Sequence, residues 1–157
     1  MTLNSYSFPA AELAELDLGN PCLPEPGLMT GGCPSDADLA RLKQAGFKTA
    51  LDLRPSTEWN GDDFAGRVER AGLVFLQLPV SGVDTVDQEQ MRQFWAYWNN
   101  PSLKPMLVHC ASGNRVGALL ALAAYQCGGL AAEEAMQRGL AAGLKASEAM
   151  VRARLKL

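Results

Sequence analysis

Short apolar runs alternate with amphipathic stretches along this chain. Three runs have the length and composition of buried strands: 48–53 (KTALDL), 73–78 (LVFLQL) and 105–109 (PMLVH). A shorter run at 27–31, after the Pro-rich stretch 21–26, predicts an edge strand. Helical periodicity fills the intervals. Ser35 is a good N-cap, with Asp36 and Asp38 complementing the helix dipole, Leu39, Leu42 and Ala45 forming a buried stripe, and Gly46 as the stop. A helix is predicted over 62–71, ended by Gly72. Another covers 86–99, with Met91, Phe94, Trp95 and Trp98 on its apolar side. Thr85 with Gln88 has capping-box spacing, which puts Asp87 in the first turn. Three further helices are predicted over 116–126, 131–141 and 146–157.

Strands alternating with helices predict a single α/β domain with a largely parallel central sheet flanked by helices. In such sheets ligands bind at the loops beyond the carboxyl ends of the strands. The run 105–109 delivers its last residues to such a place.

Composition narrows the partners. A chain of 157 residues is long enough to bury a core without metal or disulfide staples. Its net charge of −3 and dispersed basic residues give no electrostatic reason to expect nucleic acid or an anionic membrane surface. The stretch 1–19 has Glu12, Glu15 and Asp17 but no Lys or Arg, unlike a secretory signal, and no run approaches the roughly 20 apolar residues that cross a bilayer. The expected compartment is the cytoplasm, where Cys22, Cys33, Cys110 and Cys127 would be free thiols. Their irregular spacing and the single histidine argue against a metal site, and no cofactor is expected. Cys127 lies in an apolar helical run and is expected to be a buried hydrophobe; Cys22 and Cys33, among Pro and Gly, suit structural roles.

Cys110 is different. The segment 108–117 (VHCASGNRVG) passes from an apolar strand to a helix through small residues, with a thiol at its start. The backbone N–H groups of Ala111, Ser112, Gly113, Asn114 and Val116 are placed to form a cradle for an anion at a helix N-terminus. Gly113 permits φ > 0, and Arg115 offers a planar fork of donors to oxyanions. A free thiol has a pKa of about 8.5, and reactive ones fall to roughly 3.5–7.5 at helix N-termini or beside cations, so the cradle also favours the thiolate. His109 points to the opposite face from Cys110, as neighbours in a strand do, which suits it to packing or support and not to deprotonating the thiol. Arg54, at a strand's carboxyl end, is a candidate brace for the site, although a structural hydrogen-bonding role is the better expectation.

His109-Cys110-x-x-Gly113 followed by Arg115 and an apolar helix resembles the signature of cysteine-dependent protein tyrosine and dual-specificity phosphatases. The segments 26–35, 46–55 and 72–80 are similar to one bacterial branch, the phosphatase-like domain of beta-lactamase-hydrolase-like proteins. The likeness covers about 26–126. It implies a dual-specificity-phosphatase-like fold, with 26–157 as the catalytic domain and 1–25 as an N-terminal extension packed on or loosely attached to it. It also implies a general acid on the loop after the preceding strand. Asp84 and Asp87 both qualify by type; Asp84, in the loop proper, is the candidate.

Two features depart from that signature. Four residues separate Cys110 from Arg115 where the phosphatases have five, a spacing similar to the persulfide-carrying loop of rhodanese-type sulfurtransferases. Val116 stands where a Ser or Thr usually follows the Arg. Three functions therefore remain open: hydrolysis of phosphate monoesters through a phosphocysteine, sulfur transfer through a persulfide on Cys110, and a non-catalytic module binding oxyanions. The expected partner is a small anionic substrate or a phosphoprotein.

Overall fold

The computed structural model describes Phe8 and residues 10–157. A five-stranded sheet in the order β1-β2-β5-β3-β4 is built from β1 (Cys22–Glu25), β2 (Leu28–Gly31), β3 (Thr49–Asp52), β4 (Val74–Gln77) and β5 (Met106–His109). Every neighbouring pair is parallel except β1 with β2. The single α/β domain expected from the sequence is the one found.

The helices are α1 (Ala10–Leu13), α2 (Asp36–Gln44), α3 (Phe64–Arg70), α4 (Gln88–Trp98), α5 (Asn114–Gln126), α6 (Ala132–Ala141) and α7 (Glu148–Arg154). Strand alternation divides the core in two. Leu28, Leu51, Met106 and Val108 face one side, where α4 to α7 cover them. Met29, Ala50 and Leu107 face the other, against α2, α3 and the N-terminal Phe8, Leu16 and Leu18. The described part of 1–25 thus supplies a strand and three core side chains; residues 1–7 and 9 lie outside the described residues.

Three sequence expectations are corrected. The run 27–31 is not an edge strand: β2 lies between β1 and β5 and is buried at all four positions. The edge belongs to β1, hidden in the sequence by Pro24, which lacks a ladder donor and is tolerated where no partner strand follows. The capping box at the start of α4 is not Thr85 with Gln88 but Asp87 with Gln90. Thr85 is taken up by a 3-10 turn, Val83–Thr85, where its hydroxyl donates to the Gly82 carbonyl. Finally, α5 starts at Asn114, so Arg115 is inside the first helical turn and not before it.

Helix α5 runs through the core, buried at every position from Val116 to Ala124. It approaches α6 so closely that a Cβ on Gly117 would lie 2.3 Å from the Leu144 nitrogen and 2.6 Å from the Gly139 carbonyl oxygen. Both obstacles are backbone, so the helices would have to separate. Gly117→Ala is expected to destabilise the fold by about 1–3 kcal/mol, the usual range for overpacking, measured by chemical denaturation. An unchanged midpoint would contradict the close approach.

Candidate active site

Backbone hydrogen bonds carry the sheet past its formal strand ends. The Cys110 N–H donates to the Gly31 carbonyl (3.2 Å), the Leu53 N–H to the His109 carbonyl (2.9 Å) and the Val80 N–H to the Leu53 carbonyl (2.8 Å). The loops after β2, β3, β4 and β5 are thereby aligned side by side at one end.

Cys110 continues the β5 alternation and faces the α4–α7 side with Met106 and Val108. Its side chain is fully buried. Among the described residues one polar group reaches it: the Gly113 N–H donates to the sulfur at 3.0 Å. That contact depends on Gly113 adopting φ 86°, the left-handed conformation expected of it. Space is restrictive there as well, since a Cβ would meet Asn20 Nδ2 at 3.2 Å and Gly31 Cα at 3.3 Å. Ala111 and Ser112 are exposed, and Ser112 is bridged to Gly32.

Asn114, Arg115 and Val116 open α5, where N–H groups have no acceptor within their own helix. Their side chains are used elsewhere. Asn114 Oδ1 accepts from the Lys145 and Ser147 N–H groups, and its Nδ2 donates to Ser147 Oγ, tying the loop to the α6–α7 connection. Val116 is buried in the core, so its backbone alone is available to the cradle.

Arg115 is held from two directions. Its Nη1 and Nη2 donate to the two Glu58 oxygens, at 3.0 Å each, and Nη1 also donates to the Val80 carbonyl at 2.7 Å. These bonds use three of the five guanidinium N–H groups. The remaining Nε–H and outer Nη2–H point side by side, a second fork suited to two oxyanion oxygens. Glu58 balances the Arg115 charge, so attraction for an anion comes from directed N–H groups more than from net charge. The sequence reading missed Glu58. Its signal was present, an acid in the loop after β3 at the ligand-binding end of the sheet, four residues beyond Arg54.

Arg54 is committed inward. The buried Asp52 carboxylate accepts from the Arg54 backbone N–H, Nε and Nη2 and from Trp59 Nε1, all at 2.9–3.0 Å. The guanidinium lies over the Phe64 ring, 4.8 Å from its centre. His109 belongs to the same group, packed edge-on against Phe64 with Nδ1 3.7 Å from Asp52 Oδ1, and neither ring nitrogen makes a well-formed hydrogen bond. Burial lowers its pKa to about 4, with Asp52 opposing and Arg54 reinforcing the shift. His109 is therefore neutral at pH 7 and lies on the face away from Cys110. Burial is also the largest influence on Cys33 and Cys127 and pushes both thiols up. Both are half-buried; Cys127, expected to be a buried hydrophobe, packs only partly buried against the core at the C-cap of α5.

Asp84 sits in the 3-10 turn after β4, exposed and without a hydrogen-bond or ion-pair partner among the described residues. Asp87 is occupied as the N-cap of α4, accepting from the Gln90 N–H at 2.8 Å. Among the described residues no cluster of His, Cys, Asp or Glu has the makings of a metal site, and no helix is long and apolar enough to cross a membrane.

The family model described as DSP-PTPase phosphatase fused to NAD+ kinase matches residues 21–151. A search of the curated proteins gave no match. Among solved structures, a candidate phosphatase (DUF442) from Shewanella putrefaciens CN-32 is 22% identical, covering 93% of this chain and 99% of that one, with a TM-score of 0.66. A candidate phosphatase from Neisseria meningitidis Z2491 is also 22% identical, covering 84% and 96%, with a TM-score of 0.67. The catalytic core of the PP-IP phosphatase SIW14 from S. cerevisiae is 16% identical, covering 89% and 85%, with a TM-score of 0.65. These likenesses establish a common fold.

The buried His109 yields a pH prediction. With a folded pKa of about 4 against an ordinary 6.5, the unfolded chain binds the proton first. This group's contribution to stability is present above pH 6.5 and is lost as pH falls toward 4, where the loss levels off at roughly 3 kcal/mol. His109→Gln should flatten this part of the stability profile in denaturation measured from pH 7 to 4. An unaltered slope would contradict the assignment.

Proposed function

The chain belongs to the DSP-PTPase phosphatase family, and on that premise we propose that it hydrolyses phosphate monoesters, with Cys110 as the nucleophile. The observation that carries the reading is the pairing of the Gly113 N–H on the Cys110 sulfur with an Arg115 whose free fork is oriented by Glu58 and Val80. Phosphotyrosine or a small phosphoester is the proposed partner, a single anionic group matched to the one remaining fork of Arg115.

In this reading the Cys110 thiolate attacks phosphorus. The S–P bond forms as the ester P–O bond breaks, and the departing oxygen keeps the bonding pair and takes a proton from Asp84. The N–H groups opening α5 and the Arg115 fork hold the equatorial oxygens, where charge is carried through the transition state. Asp84, now a carboxylate, accepts a proton from water. That water attacks phosphorus, the P–S bond breaks, and thiolate and inorganic phosphate are restored. The sulfur is fully buried, beneath the exposed Ala111 and Ser112.

Steady turnover of phenyl phosphate is expected, abolished in Cys110→Ser and lowered about 100-fold or more in Asp84→Asn, in line with the usual worth of a general acid. Full activity in Cys110→Ser would reject the reading. The four-residue spacing between Cys110 and Arg115 favours a second reading, transfer of a sulfane sulfur. Thiosulfate would then leave one extra sulfur on Cys110 and release sulfite, and cyanide would remove that sulfur as thiocyanate. Sulfur labelling without phosphatase turnover would decide for it. Phosphate binding with neither activity would leave the non-catalytic oxyanion module.

A further inference from the structure

We infer that α7 is a strut that fixes the main chain of the loop carrying Asp84, with Arg154 as its positioning residue. The inference rests on the phosphatase reading and deepens it. Arg154 Nη1 donates to the Val83 carbonyl and Nη2 to the Val86 carbonyl, both at 3.4 Å, so one guanidinium spans the turn on either side of Asp84. Each bond is long and weak alone. Apolar packing supports the pair, because Val151 of α7 and its C-cap Leu155 share a buried cluster with Val80, Val83 and Val86.

The other end of the strut is fixed to the anion-binding loop. Asn114 Oδ1 accepts the N–H groups of Lys145 and Ser147, and Asn114 Nδ2 donates to Ser147 Oγ, immediately before α7. At the near end of the acid loop, Arg115 holds the Val80 carbonyl. The loop is thus gripped at Val80 by the oxyanion-binding arginine and at Val83 and Val86 by a helix seated on the neighbouring residue of the same cradle. The two arginines reach the acid loop only at main-chain carbonyls. The grip therefore sets backbone position and leaves the Asp84 carboxyl itself free. The geometry describes an acid held in register with the anion site before substrate arrives, not one carried in by a closing flap.

A role in positioning the acid is separable from a merely structural one by leaving group. A phenyl ester needs protonation at its departing oxygen; a dinitrophenyl ester does not. Arg154→Ala is expected to lose about tenfold on phenyl phosphate and less than about threefold on dinitrophenyl phosphate, the same direction as Asp84→Asn. Arg154→Lys, which keeps the charge on a single donor nitrogen, should recover part of the loss and serves if the alanine variant folds poorly. Hydrogen exchange at the Thr85 and Val86 amides should quicken in either variant relative to wild type. Equal losses on the two esters, or unaltered exchange at those amides, would overturn the strut. Failure of the acid assignment shows separately, as an Asp84→Asn variant that affects both esters alike.

Discussion

One guanidinium organises the carboxyl end of the sheet. Arg115 leaves the first turn of α5, reaches the loop after β3 through Glu58 and the loop after β4 through Val80, and retains two donors for a ligand. An arginine side chain has many rotamers and loses entropy when fixed. Here that loss is met before any substrate arrives, since the fork is already locked at the carboxylate. Lysine could not substitute, because a single ammonium has no second planar face to present once the first is occupied.

Strand alternation supplies the second constraint. Consecutive residues of β5 face opposite cores, which sends Cys110 beneath α5 and His109 into the Asp52–Arg54–Phe64 group. That group holds a buried carboxylate saturated by donors and an imidazole kept neutral by burial. It forms a buried base under the loops, and its imidazole is neutral near pH 7. The proposed chemistry belongs to the other face, where the thiol meets a backbone amide and not a histidine.

Much of this was legible in the sequence, and the exceptions share a cause. The runs at 48–53, 73–78 and 105–109 encode β3, β4 and β5 because buried parallel strands need little beyond continuous apolar residues. The Cys110–Arg115 loop was legible because strand, small residues and helix adjoin in the chain. Glu58 was not, because its bond to Arg115 spans 57 positions, and its place in the loop after β3 does not by itself name that partner. The inner place of β2 depends on which strands pair, again a long-range matter. Two local misses have local reasons: Pro24 disguised β1, and a 3-10 turn displaced the α4 cap from Thr85 to Asp87.

The central claim is that Arg115, locked by Glu58, presents its free fork to a tetrahedral oxyanion seated above the Cys110 sulfur. A crystal structure of the protein soaked with tungstate tests it most directly. The account predicts tungstate oxygens on Arg115 Nε and Nη2 and on the amides opening α5, with the metal atom facing the sulfur and the Glu58 pair intact. An oxyanion bound elsewhere, or an Arg115 still paired to Glu58 but turned away from an anion at Cys110, would contradict it.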